Sequence, residues 1–413
     1  MISLQKITCH IVICLIMCSF VQLPLFAVNE ERVKASTVSL ANDVCALISA
    51  NDATGKSYAI SPISIIGALG MCLNIIKDEN KGVFLEKIGL GGLTEIEAHK
   101  AIAEALQQLM LPNSFKEGSI DCAQGLAAKE NLTFDASFVS LLKEIYNSEV
   151  MISNDLMDTV NKWVASKTHN EIKEILSDNT ADFVLLNAIY LNLKWADPFE
   201  KPETGWSEEL FTCTDGSLAS VSMMRQEGSY KIYRTDGFSM LEKPYKSPEG
   251  RSLSQLIFLP NDKVSLESIE ANLSLETIQK CRNAANYEYN VDLKMPKIKA
   301  ECSLSLLDIL KNIGLPLDFL DNSKVVGGEI YIDDILHKTV VSNDEEGTVA
   351  AAVTAIIVKM TCCPDLTPPT EFYVNRNYAY AIMDGDTLIF RGRISDPSPL
   401  IVDIKEKDSL PKK

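Results

Sequence analysis

The chain predicts an α+β fold, and three observations carry that prediction. Apolar residues recur at helical intervals through the first third. Extended, β-branched runs dominate from Phe183 onward. The two kinds of element do not alternate regularly, which argues against a parallel α/β sheet. The 413 residues, with 46% hydrophobic and 23% charged content, are enough for a large core. No internal repeat and no linker-like stretch interrupts them, so one domain is expected, spanning residues 28–402.

Taken in order, the first 27 residues read as a secretory leader. Lys6 supplies a positive start, Ile11 to Val21 is apolar apart from Ser19, and Leu23 to Ala27 offers a cleavage region. That run is short for a membrane span, and no later segment reaches ~18 apolar residues. A secreted protein is therefore expected (periplasmic if the source is bacterial). Val33 to Ser49 follows with helical spacing. Ser61-Pro62 then opens a helix over Ile63 to Ile76, with Ser61 as cap and Pro62 in the first turn. Being apolar almost all round, this helix should be central and buried. Further helices are expected at Leu93–Met110, Ala136–Tyr146 and Asp155–Thr168. Phe183 to Leu193 is a long apolar strand with Asn187 at its middle. Strands follow at Ser220–Met224, Tyr230–Tyr233, Ser254–Leu259 and Tyr289–Leu293, then one helix at Ser303–Ile313, ended by Gly314 and Pro316. Leu336–Ser342, Glu371–Tyr373, Tyr378–Met383 and Thr387–Arg391 complete the strands, and residues 403–413 read as a polar tail.

The net charge is −17, and removing the leader takes away only Lys6, lowering it to −18. Such a surface repels nucleic acid and anionic membranes and attracts cationic partners. Eleven cysteines show no metal-type spacing and no dense framework, so buried thiols are expected rather than a disulfide scaffold. Only four histidines occur, and no nucleophile elbow, zinc-protease pair or phosphate loop is present. Neither an enzyme nor a metal or other cofactor is expected.

The most unusual stretch is Thr348 to Thr361, which follows Glu345-Glu346-Gly347 and contains no Pro or Gly. Its small and β-branched residues suit a strand buried on both faces. Yet it runs into Cys362-Cys363-Pro364 and the prolines at 368 and 369, which suit an exposed loop. A loop written as a central strand is a loop that can become one. Its two alternating sets are Thr348, Ala350, Ala352, Thr354, Ile356, Val358 and Val349, Ala351, Val353, Ala355, Ile357; charge first appears at Lys359. About twelve such residues at ~3.3 Å each span roughly 40 Å.

Four motifs, in order, resemble the serpins, the serine protease inhibitor superfamily. They are Tyr58 to Ser64, Leu186 to Trp195 with Pro198-Phe199, Leu336-His337-Lys338 before Asp344 to Thr348, and Phe390 to Ile394 with Asp396-Pro397. The resemblance covers about Val33 to Pro397. It implies three sheets, eight or nine helices and an exposed reactive-centre loop at about 345–370. It also implies a monomeric, metastable suicide substrate that traps a serine protease as an acyl-enzyme while the cleaved loop inserts into the main sheet. Carried over residue by residue, Glu345, Glu346, Gly347, Thr348, Ala350, Ala351 and Ala352 form the hinge. Ser61, Ser64, Asn187 and His337 match the shutter, and Trp195 and Lys297 the region where the loop enters, with Lys297 facing Glu345. Counting from the hinge places the reactive bond at Thr361-Cys362, with Met360 and Lys359 as alternatives. The small and apolar residues there point to an elastase- or chymotrypsin-like target. Lys100 is the only Lys or Arg in Leu93–Met110, which argues against heparin-type activation. A non-inhibitory carrier on the same fold and an inhibitor of cysteine proteases remain open alternatives.

Overall fold

The computed structural model describes residues 29–48, 57–200, 208–261, 263–326, 331–348, 368–397 and 400–404. Its first part comprises α1 (residues 29–48), β1 (Tyr58–Ile60), α2 (Pro62–Leu73), α3 (Asp78–Lys87) and α4 (Glu95–Leu109). Next come β2 (Gly118–Ala128), β3 (Thr133–Phe134), α5 (Ala136–Tyr146), β4 (Glu149–Ile152), α6 (Leu156–Lys167) and β5 (Phe183–Lys194). Strands β6 (Glu208–Thr212), β7 (Leu218–Arg234), β8 (Phe238–Pro244) and β9 (Leu253–Pro260) precede α7 (Leu266–Glu270), α8 (Leu275–Ala284) and β10 (Asn286–Pro296). The remainder is β11 (Ile298–Ser305), α9 (Leu307–Asn312), β12 (Val325–Val326), β13 (Asp334–Asn343), β14 (Gly347–Thr348), β15 (Thr370–Tyr373), β16 (Tyr378–Asp384), β17 (Thr387–Ile394) and β18 (Leu400–Ile404).

Two large sheets and one small pair organise the described residues. The main sheet has seven strands in the order β18-β11-β13-β14-β5-β2-β4; the other runs β1-β17-β16-β9-β8-β7-β10-β15 with β6 beside β7; β3 and β12 form a pair. The second sheet is continuous because β7, 17 residues long, pairs with β6 over Leu218–Ser222, with β8 over Lys231–Arg234 and with β10 between Met223 and Ile232. The principal core lies between the sheets around α2, all of whose residues are buried, as its unbroken apolar surface requires. A smaller core lies on the other face of the main sheet. There Leu156, Val160, Trp163 and Val164 of α6 form one apolar cluster with Val184, Leu186 and Ala188 of β5 and Leu336 and Val340 of β13.

Three sequence expectations need correction. The stretch Ser303–Ile313 is a helix only over Leu307–Asn312, because Ile298–Ser305 pairs residue by residue with β13 and sheet hydrogen bonding overrides the helical spacing. Ser220–Met224 and Tyr230–Tyr233 are one strand. Ser61 occupies the N-cap position of α2, but its hydroxyl caps nothing; it donates instead to Ile389 O at 2.8 Å. Elements not foreseen include β2 and β8, and β18, which pairs with β11 in parallel and carries the fold through Ile404.

Candidate functional site

Two clusters join β5 to β13, one at mid-strand and one at the top. At mid-strand, β13 lies parallel to β5 from Asp334↔Val184 to Thr339↔Ile189, which sets His337 opposite Asn187. Both side chains are fully buried, as are Ser61 and Ser64. Burial pushes the His337 imidazole down to about 3, so the ring is neutral. Its Nε2 accepts from the Ser61 N–H at 3.1 Å, which leaves the proton on Nδ1 to donate to Asn187 Oδ1 at 2.8 Å. Ser64 Oγ donates to the same oxygen at 2.5 Å. The Asn187 amide donates to Ser64 O at 2.8 Å and to Gln124 Oε1 at 3.0 Å. Every polar atom of Asn187 is thus partnered, as a buried amide must be. Thr339 adds a bond to Ala59 O at 2.7 Å.

At the top, β13 parts from β5 and the chain turns back through residues 344–346. Gly347 and Thr348, as β14, then sit between the two strands. Gly347 pairs with Lys194, Thr348 with Leu193, and Thr348 with Asn343 on the other side, all antiparallel. The backbones approach so closely that a Cβ on Gly347 would stand 2.0 Å from Leu193 O, so only glycine fits. The turn is held by Asp344, whose carboxylate accepts from the Glu346 and Gly347 N–H groups at 2.9 and 3.1 Å. Trp195 reads the same turn twice: its N–H donates to Glu346 O at 2.8 Å and its indole to Asp344 O at 3.0 Å. The Phe199 N–H donates to Glu345 O at 2.9 Å, and Lys297 pairs with the Glu345 carboxylate at 2.6 Å. Beneath them Trp195 stacks on Tyr245 at 4.4 Å, and Tyr245 Oη lies 2.7 Å from Thr348 Oγ1, which itself donates to Asn343 Oδ1 at 2.7 Å.

Of the residues singled out from the sequence, Ser61, Ser64, Asn187 and His337 form one hydrogen-bonded cluster. Trp195, Lys297, Glu345, Glu346, Gly347 and Thr348 form the other. Ala350, Ala351, Ala352, Lys359, Met360, Thr361 and Cys362 lie outside the described residues, as does the leader expected at residues 1–27. Sequence reasoning missed Gln124, because β2 itself was missed. It also missed Tyr245, Asn343 and Lys243, which no local pattern marks. Among the described residues, Cys45, Cys72, Cys122, Cys213, Cys281 and Cys302 are free thiols, all but Cys122 buried. Among the same residues no helix is long and apolar enough to cross a membrane, and no group of three or more His, Cys, Asp or Glu could hold a metal ion.

Fold and site together define an α+β protein whose main sheet carries a two-residue strand wedged between two parallel central strands. Residues 35–397 match the family described as Serpin (serine protease inhibitor). The chain belongs to the serpin family. It is 30% identical to human Serpin B4 over 369 residues, 82% of this chain and 93% of that one. Its fold is similar to that of the thermophilic serpin Tengpin in the native state (TM-score 0.75, 24% identity, 87% of this chain and 94% of that one). It is likewise similar to thyroxine-binding globulin in complex with thyroxine (TM-score 0.77, 21% identity, 88% and 99%).

Proposed function

We propose that this chain inhibits a serine protease by accepting its own cleaved loop as a further strand of the main sheet. The observation that supports this reading is β14, seated between β5 and β13 in antiparallel register. Continuing that register past Thr348 would set Val358 opposite Phe183, the first residue of β5. The stretch free of charge, glycine and proline therefore matches the length of strand available to it. Thr348, Ala350, Ala352, Thr354, Ile356 and Val358 would face the principal core, and the intervening residues would lie beneath α6. Thr354 would come opposite both Asn187 and His337, so the second threonine of the inserted set meets the polar cluster. A scissile bond at Thr361-Cys362, or one or two residues earlier, would leave this whole length free to move.

The reaction asks nothing of this chain beyond a cleavable loop and a sheet that can open. The protease serine attacks the loop carbonyl, the amine leaves, and the acyl-enzyme is carried away as the new strand forms. An elastase- or chymotrypsin-like target suits the residues around the bond, and the apolar start of the chain suits export to where such proteases act. The test is incubation with a panel of serine and cysteine proteases, read by denaturing gel and intact mass. The expected result is a denaturant-resistant covalent complex, a cut between Lys359 and Cys363, and a large rise in melting temperature on cleavage. Cleavage without a complex or a stability gain would replace this reading with that of a carrier; a complex with cysteine proteases alone would change the target class.

A further inference from the structure

Lys243 on β8 is 1% exposed, and its surroundings are mostly hydrocarbon. Its Nζ lies 4.2 Å from the ring centroid of Phe199, 5.1 Å from that of Trp195 and 5.5 Å from that of Tyr230. Two oxygens complete the site: Gln226 Oε1 at 2.8 Å and Asp197 O at 3.1 Å. Gln226 is itself fixed by Tyr230 Oη at 2.8 Å and by Pro198 O at 2.9 Å. Two of the three rings belong to the residues whose N–H groups hold the Glu345–Glu346 backbone. A buried amine of this kind is expensive, and a leucine of similar size would cost nothing to bury.

We propose that Lys243 is a positioning residue whose burial primes the hinge to open: when Phe199 and Trp195 release the 344–347 turn, water reaches the amino group and favours the opened state. This inference rests on the inhibitor reading for its purpose, though not for its measurement. Burial lowers the Lys243 amine to about 7, against a smaller upward pull from the Asp197 carboxylate. In water it returns to ~10.4. Opening therefore takes up a proton between these values and becomes easier as pH falls towards 7, with no further gain below. The other titratable groups facing this site are Tyr230 on β7 and Tyr245 after β8, both pushed up by burial and silent in the window, and the Lys297–Glu345 pair beyond Phe199. On β8 itself, Glu242 is directed away, to Arg282 and Ser254.

The experiment compares wild type with Lys243→Leu in the full chain. The probe is a synthetic peptide of residues 348–358, whose annealing into the main sheet is followed by native gel and melting temperature. Wild type should anneal faster as pH falls from 9.5 to 7, by up to about tenfold per unit, and level off below. The leucine variant should anneal at least tenfold more slowly at pH 7, without that slope. Its melting temperature should exceed the wild-type value most at and below pH 7, with the gap closing towards pH 10. A flat wild-type profile, or a leucine variant that melts lower or anneals faster, overturns the proposal, because Lys243 would then be only a brace. The wild-type melting profile alone decides the matter should the variant fail to fold. Proton-linked annealing without a covalent complex on any protease would remove the inhibitor reading and leave this one standing; a complex with pH-independent annealing would do the reverse.

Discussion

The two clusters, proposed as shutter at mid-strand and hinge at the top, fasten the same two strands with opposite chemistry. At the shutter, neutral dipoles of Ser61, Ser64, Gln124, Asn187 and His337 close on one another with no charge and no water access. At the hinge, charged and aromatic groups hold a turn of backbone, and Lys297 is 39% exposed while its partner Glu345 is 11% exposed. A saturated neutral network is stable until it is broken and then costly all at once. A part-exposed set of contacts can be released one by one. On the proposed mechanism, that difference would give the hinge the first step of opening and the shutter the threshold.

The largest expected effect comes from Thr348→Arg. A charge forced into a fully buried position costs several kcal/mol if it stays. The hinge should therefore be expelled, and complex formation should fall at least tenfold while loop cleavage continues. Next is pH. The folded His337 lies below its unfolded value, so its stabilising contribution is complete above about 6.5 and is lost as pH falls towards 3, at up to about 1.4 kcal/mol per unit. Denaturant melts across that range should show the slope, and His337→Gln should flatten it. Asn187→Ala leaves the His337 Nδ1–H and Gln124 Oε1 without their partners and should cost about 2–3 kcal/mol in the same assay. Trp195→Phe removes the indole bond to Asp344 O and should cost about 1 kcal/mol while speeding peptide annealing. Smallest is Lys297→Ala, expected at no more than about 1 kcal/mol and vanishing in high salt. If Lys297→Ala outweighed Asn187→Ala, the ranking of hinge and shutter would be reversed.

What the sequence disclosed follows from what pattern can encode. Phe183–Leu193 was legible because a strand buried on both faces must be apolar throughout, and α2 for the same reason. Asn187 stood out as the amide at the middle of such a run. Strand β2 was not legible. Six of its eleven residues are Gly, Ala or Ser, and at Gly125 a Cβ would meet Trp163 Cζ2 at 3.1 Å, so there the low β-propensity answers a helix lying close above. Residues 303–305 were misread for the complementary reason, since edge pairing with β13 is invisible to local spacing. Lys243 could not be seen at all: one lysine in a strand looks solvent-facing until the fold places three rings around it.

Helix α6 lies over β2 and β5, with Trp163 settled over Gly125, and shares one apolar cluster with Leu336 and Val340 of β13. On the proposed mechanism an added strand would spread β5 from β13 by ~4.8 Å and part the apolar cluster that α6 shares with Leu336 and Val340. Whatever tightens that cluster would then slow the insertion.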